Sequence, residues 1–386
     1  MFVHRWIFIC FLVALSVLKS EFHDENKSKM LCFKKPPKSC ICSEKLINKH
    51  KTSYEYICSN DVVLEMEYIK KRFSVRCKNV PSFEMFPDLI EYIDTTDIIL
   101  NNCSVPINRS LYDYTSKISK NIESLYIELT GENDGDKDFN SNYFEGLSNL
   151  EYLSLDNLRF RQDFRFPNQN GFTKLFELKS LKLDNFPTPN GIFDSLKQLQ
   201  HLSIRNEVLN YGSINMELFK NQRKLITLDI WGSAYFYLEP NVFAYLTELR
   251  LLYLVFNSFK FLPVNMLKHN HKLYEFKLDE NSNSIVSLPQ KLFANKWNLR
   301  YITLNSNKHE YLPEDLFTNS TRINLIKITD NYISSLPKNI FKDQKDLEVL
   351  DLRNNLLKNL TDGLFDSLSF LKALSLSHNK LSSLSK

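Results

Sequence analysis

The sequence has little glycine, with 8 residues in a chain of 386. It is not a fibrous repeat of the collagen kind, and it contains no glycine-rich phosphate-binding loop. It also has no HExxH motif, no nucleophile elbow and no zinc-type spacing of cysteines and histidines. We therefore expect no enzyme activity, no metal and no cofactor. The formal net charge of +4 is small and spread along the chain, so we expect no nucleic-acid partner.

Long apolar stretches are also scarce. The longest runs from Trp6 to Leu18, follows Arg5 and ends before Lys19. A helix of this length reaches about 20 Å, which is short of the roughly 30 Å hydrocarbon core of a membrane. The pattern is typical of a secretory signal peptide, which we assign to residues 1–20. The mature chain is therefore expected on the extracellular side.

Cysteine is confined to the N-terminal part of the chain. Removal of the signal peptide leaves Cys32, Cys40, Cys42, Cys58, Cys77 and Cys103. In an oxidising compartment such a cluster indicates a disulfide-stapled module, which we place at residues 21–104. The spacing leaves 15 pairings open. The Cys40-Ile-Cys42 segment has no histidine pair nearby and does not predict a metal site.

Secretion would also give the Asn-x-Ser/Thr sequons access to glycosylation. We assign glycosylation to Asn26, Asn108, Asn319 and Asn359. A fifth sequon, at Asn102, has Cys103 as its middle residue and is not assigned.

A repeat of the form L-x-x-L-x-L-x-x-N organises residues 105–386. Its last asparagines are spaced by 24, 26, 24, 24 and 24 residues. They are Asn257, Asn281, Asn307, Asn331, Asn355 and Asn379. Weaker copies begin at Leu225, Leu199, Leu178, Leu150 and Ile122, which gives about eleven repeats, the last one incomplete. One further partial copy, TTDIILNNC, puts Cys103 at the asparagine position.

These features predict a leucine-rich-repeat solenoid of the α/β class, a horseshoe with a parallel sheet on its concave face and the disulfide-stapled module as its N-terminal cap. Leu-Pro pairs, at Leu262, Leu288, Leu312 and Leu336, mark the start of the outer side. An aromatic row should stack there, and it explains the 29 phenylalanines. It comprises Phe219, Phe243, Phe293, Phe317, Phe341 and Phe365, with Leu267 in the gap. Residues 130–142 and 159–173 are expected to be surface loops.

The concave face is the candidate binding surface, because tyrosine, tryptophan and arginine dominate protein interfaces. Its central row is predicted to read Ser203, Asp229, Tyr253, Lys277, Thr303, Lys327 and Asp351. The candidate ligand-binding residues are Asp229, Trp231, Tyr253, Tyr274, Lys277, Arg300, Tyr301 and Lys327.

The N-terminal cysteine pattern resembles that of the insect Toll receptors. It has Cys32, then Cys40-Ile-Cys42, then SYEYIC, SVRC and IILNNC, which end at Cys58, Cys77 and Cys103. The stretches KLFANKWNLRYITL from Lys291 and DLFTNSTRINLIKITDNYISSLP from Asp315 add to the resemblance. It implies disulfide bonds between Cys32 and Cys42, Cys40 and Cys58, and Cys77 and Cys103.

The resemblance also implies a function: the extracellular part of a receptor that binds a Spätzle-like cystine-knot cytokine, forms a homodimer and signals in immunity or development. Such receptors continue through further repeats to a membrane helix and a signalling domain. The chain is therefore expected to be a fragment of a cell-membrane receptor, or a secreted protein if it is complete. The alternatives are a secreted adhesion or matrix protein and a soluble decoy.

Overall fold

The computed structural model describes residues 40–48, 51–58, 61–69, 71–77, 95–103, 110–129, 142–157, 170–206, 213–232, 235, 237–281 and 285–382. The predicted signal peptide, Cys32, Asn26, Asn108 and most of both predicted surface loops lie outside these ranges. The backbones of Cys40, Cys42, Cys58, Asn102 and Cys103 are described, but their side chains are not.

Eighteen strands and two short helices make up this part of the chain. The strands are β1 (Cys40–Asn48), β2 (Lys51–Cys58), β3 (Asp61–Ile69), β4 (Arg72–Cys77), β5 (Asp97–Cys103), β6 (Ser124–Leu129), β7 (Tyr152–Asn157), β8 (Ser180–Asp184), β9 (His201–Arg205), β10 (Ser213–Ile214), β11 (Thr227–Trp231), β12 (Tyr237–Leu238), β13 (Leu251–Val255), β14 (Glu275–Lys277), β15 (Tyr301–Thr303), β16 (Leu325–Lys327), β17 (Val349–Asp351) and β18 (Ala373–Ser375). Helix α1 spans Tyr112–Ile118, and a 3-10 helix spans Met216–Phe219.

One sheet of 16 strands runs through the whole described region, and only β10 and β12 pair separately. From β4 onward all neighbours in this sheet are parallel, as the repeat predicts. Strands β1 to β4 pair antiparallel. These four strands lie in the predicted N-terminal cap, where short connections join them as hairpins. Eleven strands follow β5 in the sheet, one for each predicted repeat.

The inward side chains of the repeats form one continuous apolar core. In β17, for example, Leu350 is fully buried, and Leu352 follows it into the core. The weak copies obey the same rule, since Leu150, Leu178, Leu199 and Leu225 are all 0% exposed. The leucines of the predicted Leu-Pro pairs are also buried. Each coil buries its apolar face against its neighbours, which is how a solenoid is stabilised.

The repeat asparagines form a hydrogen-bonded ladder inside the turns after the strands. The Nδ2 of Asn307 donates to the carbonyl oxygen of Leu278 in the preceding coil at 2.6 Å, and its Oδ1 accepts from the backbone N–H of Asn281 at 3.3 Å. Asn257, Asn281, Asn331, Asn355 and Asn379 make the same donation to the coil before them. These amides pair backbone groups that would otherwise be buried unpaired.

The aromatic row stacks from coil to coil on the opposite side of the core. Phe293 and Phe317 have ring centroids 5.9 Å apart and nearly parallel planes. The pairs Phe317–Phe341 and Phe341–Phe365 follow at 6.3 Å each. Leu267 is buried in the gap, as expected.

A second polar ladder was missed by the sequence reasoning. It occupies a repeat position that is leucine in two other repeats, at Leu246 and Leu368. Its members are all at most 3% exposed: Gln222, Asn270, Lys296, Ser320 and Gln344. Each donates to a backbone carbonyl oxygen of the preceding coil. The acceptors are Phe193 and the aromatic-row residues Phe243, Leu267, Phe293 and Phe317, respectively. The signal was present as polar residues spaced by 26, 24 and 24 residues from Asn270 to Gln344, with Gln222 standing 48 residues before Asn270.

Candidate functional site

The outward side chains of β6 to β18 form three rows, and we call this surface the sheet face. The strand register places one residue of each strand in the central row. From β9 to β17 this row reads Ser203, Asp229, Tyr253, Lys277, Thr303, Lys327 and Asp351. The predicted order of the central row is therefore confirmed. Parallel strands lie about 4.8 Å apart, so neighbouring members of a row are close enough to touch.

The predicted binding residues all lie on or beside the sheet face. Asp229, Tyr253, Lys277 and Lys327 are in the central row, and Tyr301 is in the row where the strands begin. Trp231 is in the row where the strands end. Tyr274 and Arg300 lie just before strands β14 and β15 and border the face. Their role as ligand contacts stays a prediction.

Aromatic rings and charged side chains contact each other in the middle of the face. Lys277 Nζ lies 4.7 Å from the ring centroid of Tyr253 and 2.8 Å from Glu275 Oε1. The rings of Tyr274 and Tyr301 meet edge to face at 5.4 Å. A lysine held over a ring has lost part of its rotamer freedom before any ligand arrives, which lowers the entropic cost of binding.

Polar groups next to this centre are held by cross-strand hydrogen bonds. Asp279 accepts from Thr303 Oγ1 at 2.8 Å and from the backbone N–H of Asn305 at 2.7 Å. Burial raises the pKa of Asp279, and these hydrogen bonds partly offset that rise. Within the part of the chain that the structure describes, the side chain of Lys327 has no hydrogen bond or ion pair, although its charge lowers the pKa of Asp279 and of Asp351.

Near β9 and β11 the face holds a group of charged residues around the ring of Trp231. Arg205 lies over the ring of Trp231, with its Cζ 4.1 Å from the ring centroid. Arg205 Nε is 3.8 Å from Asp184 Oδ1, and Lys182 Nζ is 2.6 Å from Asp184 Oδ2. Burial raises the pKa of Asp229 to about 6, although Arg205 and a hydrogen bond from Ser203 oppose the shift.

Toward the N-terminus the face carries tyrosines and carboxylates that sequence reasoning did not single out. The rings of Tyr126 and Tyr152 are 4.7 Å apart. Burial, and then the charges of Asp184 and Glu128, raise the pKa of Asp156 to about 6. These residues belong to weak repeat copies, but the L-x-x-L-x-L alignment could have located them.

The described ranges contain no group of three or more His, Cys, Asp or Glu side chains placed to hold a metal ion. None of their helices has the length and apolar character needed to cross a bilayer.

The assigned glycosylation sites that are described lie at the surface. Asn319 and Asn359 are both exposed. Cys77 is disulfide-bonded, while the three predicted pairings stay predictions.

Comparisons with known proteins show the leucine-rich-repeat fold. The leucine rich repeat family model matches residues 321–381, and the model of the BspA type leucine rich repeat region matches residues 132–250 and 168–288. No curated protein matches the chain.

Several solved structures have the same architecture. A structure of the Drosophila Toll–Spatzle complex is similar with a TM-score of 0.71 and 24% identity, over 88% of this chain and 48% of that chain. Its glycosylated form gives 0.68 and 24%, over 86% and 48%. An internalin from Listeria monocytogenes gives 0.53 and 18%, over 81% and 82%. The chain thus spans about half the length of the Toll chains that it matches.

Proposed function

We propose that the chain is the extracellular ligand-binding region of a Toll-type receptor, and that its sheet face binds a Spätzle-like cystine-knot cytokine. The observation that carries the proposal is the composition of the face. Lys277 lies over the ring of Tyr253, and the rings of Tyr274 and Tyr301 meet edge to face close by, on or just before adjacent strands. Such clusters of aromatic and cationic side chains are typical of the energetic centres of protein interfaces. The similarity in fold to a chain from a Toll–Spatzle complex supports the same function.

Several wider parts of this proposal follow from the resemblance alone. The full receptor would be anchored in the cell membrane, would form a homodimer and would signal in immunity or development. If the chain is complete, it would be secreted. Absence of a nucleic-acid partner and absence of enzyme activity are parts of the proposal that the fold does not test.

The proposal can be tested by surface plasmon resonance with the secreted chain and a processed Spätzle-like cytokine. The double variant Tyr253→Ala/Lys277→Ala should lose binding, because it removes the cation–π pair at the centre of the face. The matched control is Tyr332→Ala/Lys338→Ala, which removes the same residue types from exposed positions outside the sheet face. Equal loss in both variants, or none in either, would contradict a site on the face.

Failure of the folded, monodisperse chain to bind the cytokine would reject the receptor proposal. It would favour the second class of function, a secreted adhesion or matrix protein whose sheet face takes another protein. A soluble decoy would bind the cytokine as the receptor does. Co-expression with the signalling receptor would reveal a decoy by reduced signalling.

A further inference from the structure

Three carboxylates lie side by side at the N-terminal end of the sheet face. Glu128, Asp156 and Asp184 are register partners on β6, β7 and β8. Asp184 is paired with Lys182 at 2.6 Å. Across the described ranges, the side chains of Glu128 and Asp156 have no hydrogen bond or ion pair. Lys182 and Arg205 lower the pKa of Asp156, but burial and the charges of Asp184 and Glu128 outweigh them. A further positive charge placed between the two carboxylates would reduce their repulsion.

A small side chain lies beside these carboxylates. Ser154 occupies the central row between Tyr126 and Lys182 and is 8% exposed. Tyr126 presents a ring on one side of it, and Asp156 follows it on the same strand. A ring next to a carboxylate is the environment in which proteins bind arginine or lysine side chains.

The row that contains Glu128, Asp156 and Asp184 continues through Arg205 to an apolar surface three strands from Asp156. The rings of Trp231 and Phe256 are 5.1 Å apart, and Phe256 is 41% exposed. Phe256 also has a φ of +57°, which bulky residues rarely adopt. The next five repeats have the same left-handed backbone at this position but carry polar residues there: Glu280, Ser306, Asp330, Asn354 and His378. An exposed aromatic ring at such a position indicates a binding role.

The strand order sets the distance between the two features. Asp156 on β7 and Trp231 on β11 are separated by three strand steps, through β8 and β9. At about 4.8 Å per step the separation is about 14 Å. An extended peptide rises about 3.3 Å per residue, so it would cover this distance in about four residues. Arg205 lies between the two features and would keep a second cation away from Trp231.

From this arrangement we infer that the protein partner of the sheet face carries a basic side chain that binds between Glu128 and Asp156, and an apolar side chain about four residues away that packs on Trp231 and Phe256. This assignment of partner chemistry rests on the proposed function for its setting. The inference is drawn from the charges of Glu128 and Asp156 and from the rings of Trp231 and Phe256. These features do not depend on which protein supplies the segment.

The experiment uses tryptophan fluorescence of the whole secreted chain. The chain has three tryptophans, Trp6, Trp231 and Trp297, and removal of the signal peptide leaves two. The variant Trp297→Phe makes Trp231 the single reporter. The probes are two synthetic peptides, one with arginine and phenylalanine four positions apart and one with glutamate in place of the arginine.

The arginine peptide should change the emission of Trp231 saturably, and the glutamate peptide should not. Asp156→Asn and Glu128→Gln should each weaken binding of the arginine peptide about fivefold, which corresponds to one half-exposed ion pair. The matched control is Asp362→Asn, an exposed carboxylate outside the sheet face. Binding should also weaken as the pH falls below 6, where Asp156 becomes protonated.

Equal binding of the two peptides, no response up to millimolar concentration, or no effect of Asp156→Asn would each overturn the inference. The same variants are then tested with the cytokine. If the cytokine binds but the peptides give one of these negative results, the inference fails and the receptor proposal stands. If the peptides behave as expected but the cytokine does not bind, the receptor proposal fails and the inference stands.

Discussion

Replacement of Lys296 by glutamine should stabilise the protein at neutral pH. Lys296 is a member of the second polar ladder and is 3% exposed. Its Nζ donates to the carbonyl oxygen of Leu267. Burial lowers the pKa of Lys296 from 10.5 to about 8. At pH 7 the side chain is still an ammonium ion, so folding has to remove a charge from water.

The size of this cost follows from the pKa. A fall of 2.5 units, from 10.5 to about 8, corresponds to about 3 kcal/mol at 1.36 kcal/mol per unit. Glutamine is suited to the position, because Gln222 and Gln344 at equivalent positions donate to the carbonyls of Phe193 and Phe317. Lys296→Gln should therefore raise the free energy of unfolding at pH 7 by about 2–3 kcal/mol.

The pH dependence gives the sharper test. The folded-state pKa of Lys296 is below its unfolded value, so between pH 8 and 10.5 the unfolded chain holds the proton that the folded chain has released. The stability of the wild-type chain should rise in this window relative to the variant. The difference between the two proteins should therefore be largest below pH 8 and vanish near pH 10.5.

Urea unfolding followed by circular dichroism from pH 6.5 to 10 measures this difference directly. Lys338→Gln, at an exposed position, is the control and should change little at any pH. A variant that is less stable than wild type at pH 7, or a difference that stays constant with pH, would refute the reasoning about Lys296.

Four further changes test other parts of the fold. Asn307→Ala should lower the free energy of unfolding by about 2–4 kcal/mol, because it leaves two buried backbone groups of neighbouring coils unpaired; an unchanged urea midpoint would argue against the ladder. Cys77→Ser should cost about 2–5 kcal/mol through loss of its disulfide bond, measured as a lower Tm. His309 is 0% exposed, and burial lowers its pKa to about 4 from 6.5. As the pH falls from 6.5 to 4, His309 is therefore protonated in the unfolded chain but not in the folded chain. The free energy of unfolding falls in that window by up to about 3 kcal/mol. His309→Ile should flatten this loss in acid titrations of stability, and an identical profile would contradict it. Gly146→Ala should destabilise by about 1–3 kcal/mol, because φ is +87° and a Cβ would lie 2.5 Å from Tyr112 Cγ; a Tm equal to wild type would show that the strain is absent.

The sequence was enough to predict the repeat fold and the rows of the sheet face. The reason is that each repeat solves the same packing problem, so one spacing determines the strand, the turn and the outer arm together. The central row from Ser203 to Asp351 could be written down because parallel strands of a solenoid pair in register. The same periodicity placed Asn307 and the stacked ring of Phe317 correctly.

The tertiary structure decided what depends on contacts between coils. From the sequence alone, a polar residue at a leucine position, such as Lys296, would be taken for a solvent-exposed exception to the repeat. In the structure its Nζ donates to a backbone carbonyl of the preceding coil. The antiparallel pairing of β1 to β4 follows from hairpins that the repeat pattern does not encode. Burial in the folded chain, and then the charges of Asp184 and Glu128 on neighbouring strands, raise the pKa of the Asp156 carboxyl group. Repeat spacing along the chain is written in the sequence itself, whereas desolvation and charge depend on which side chains from distant positions come together, and only the folded chain determines that.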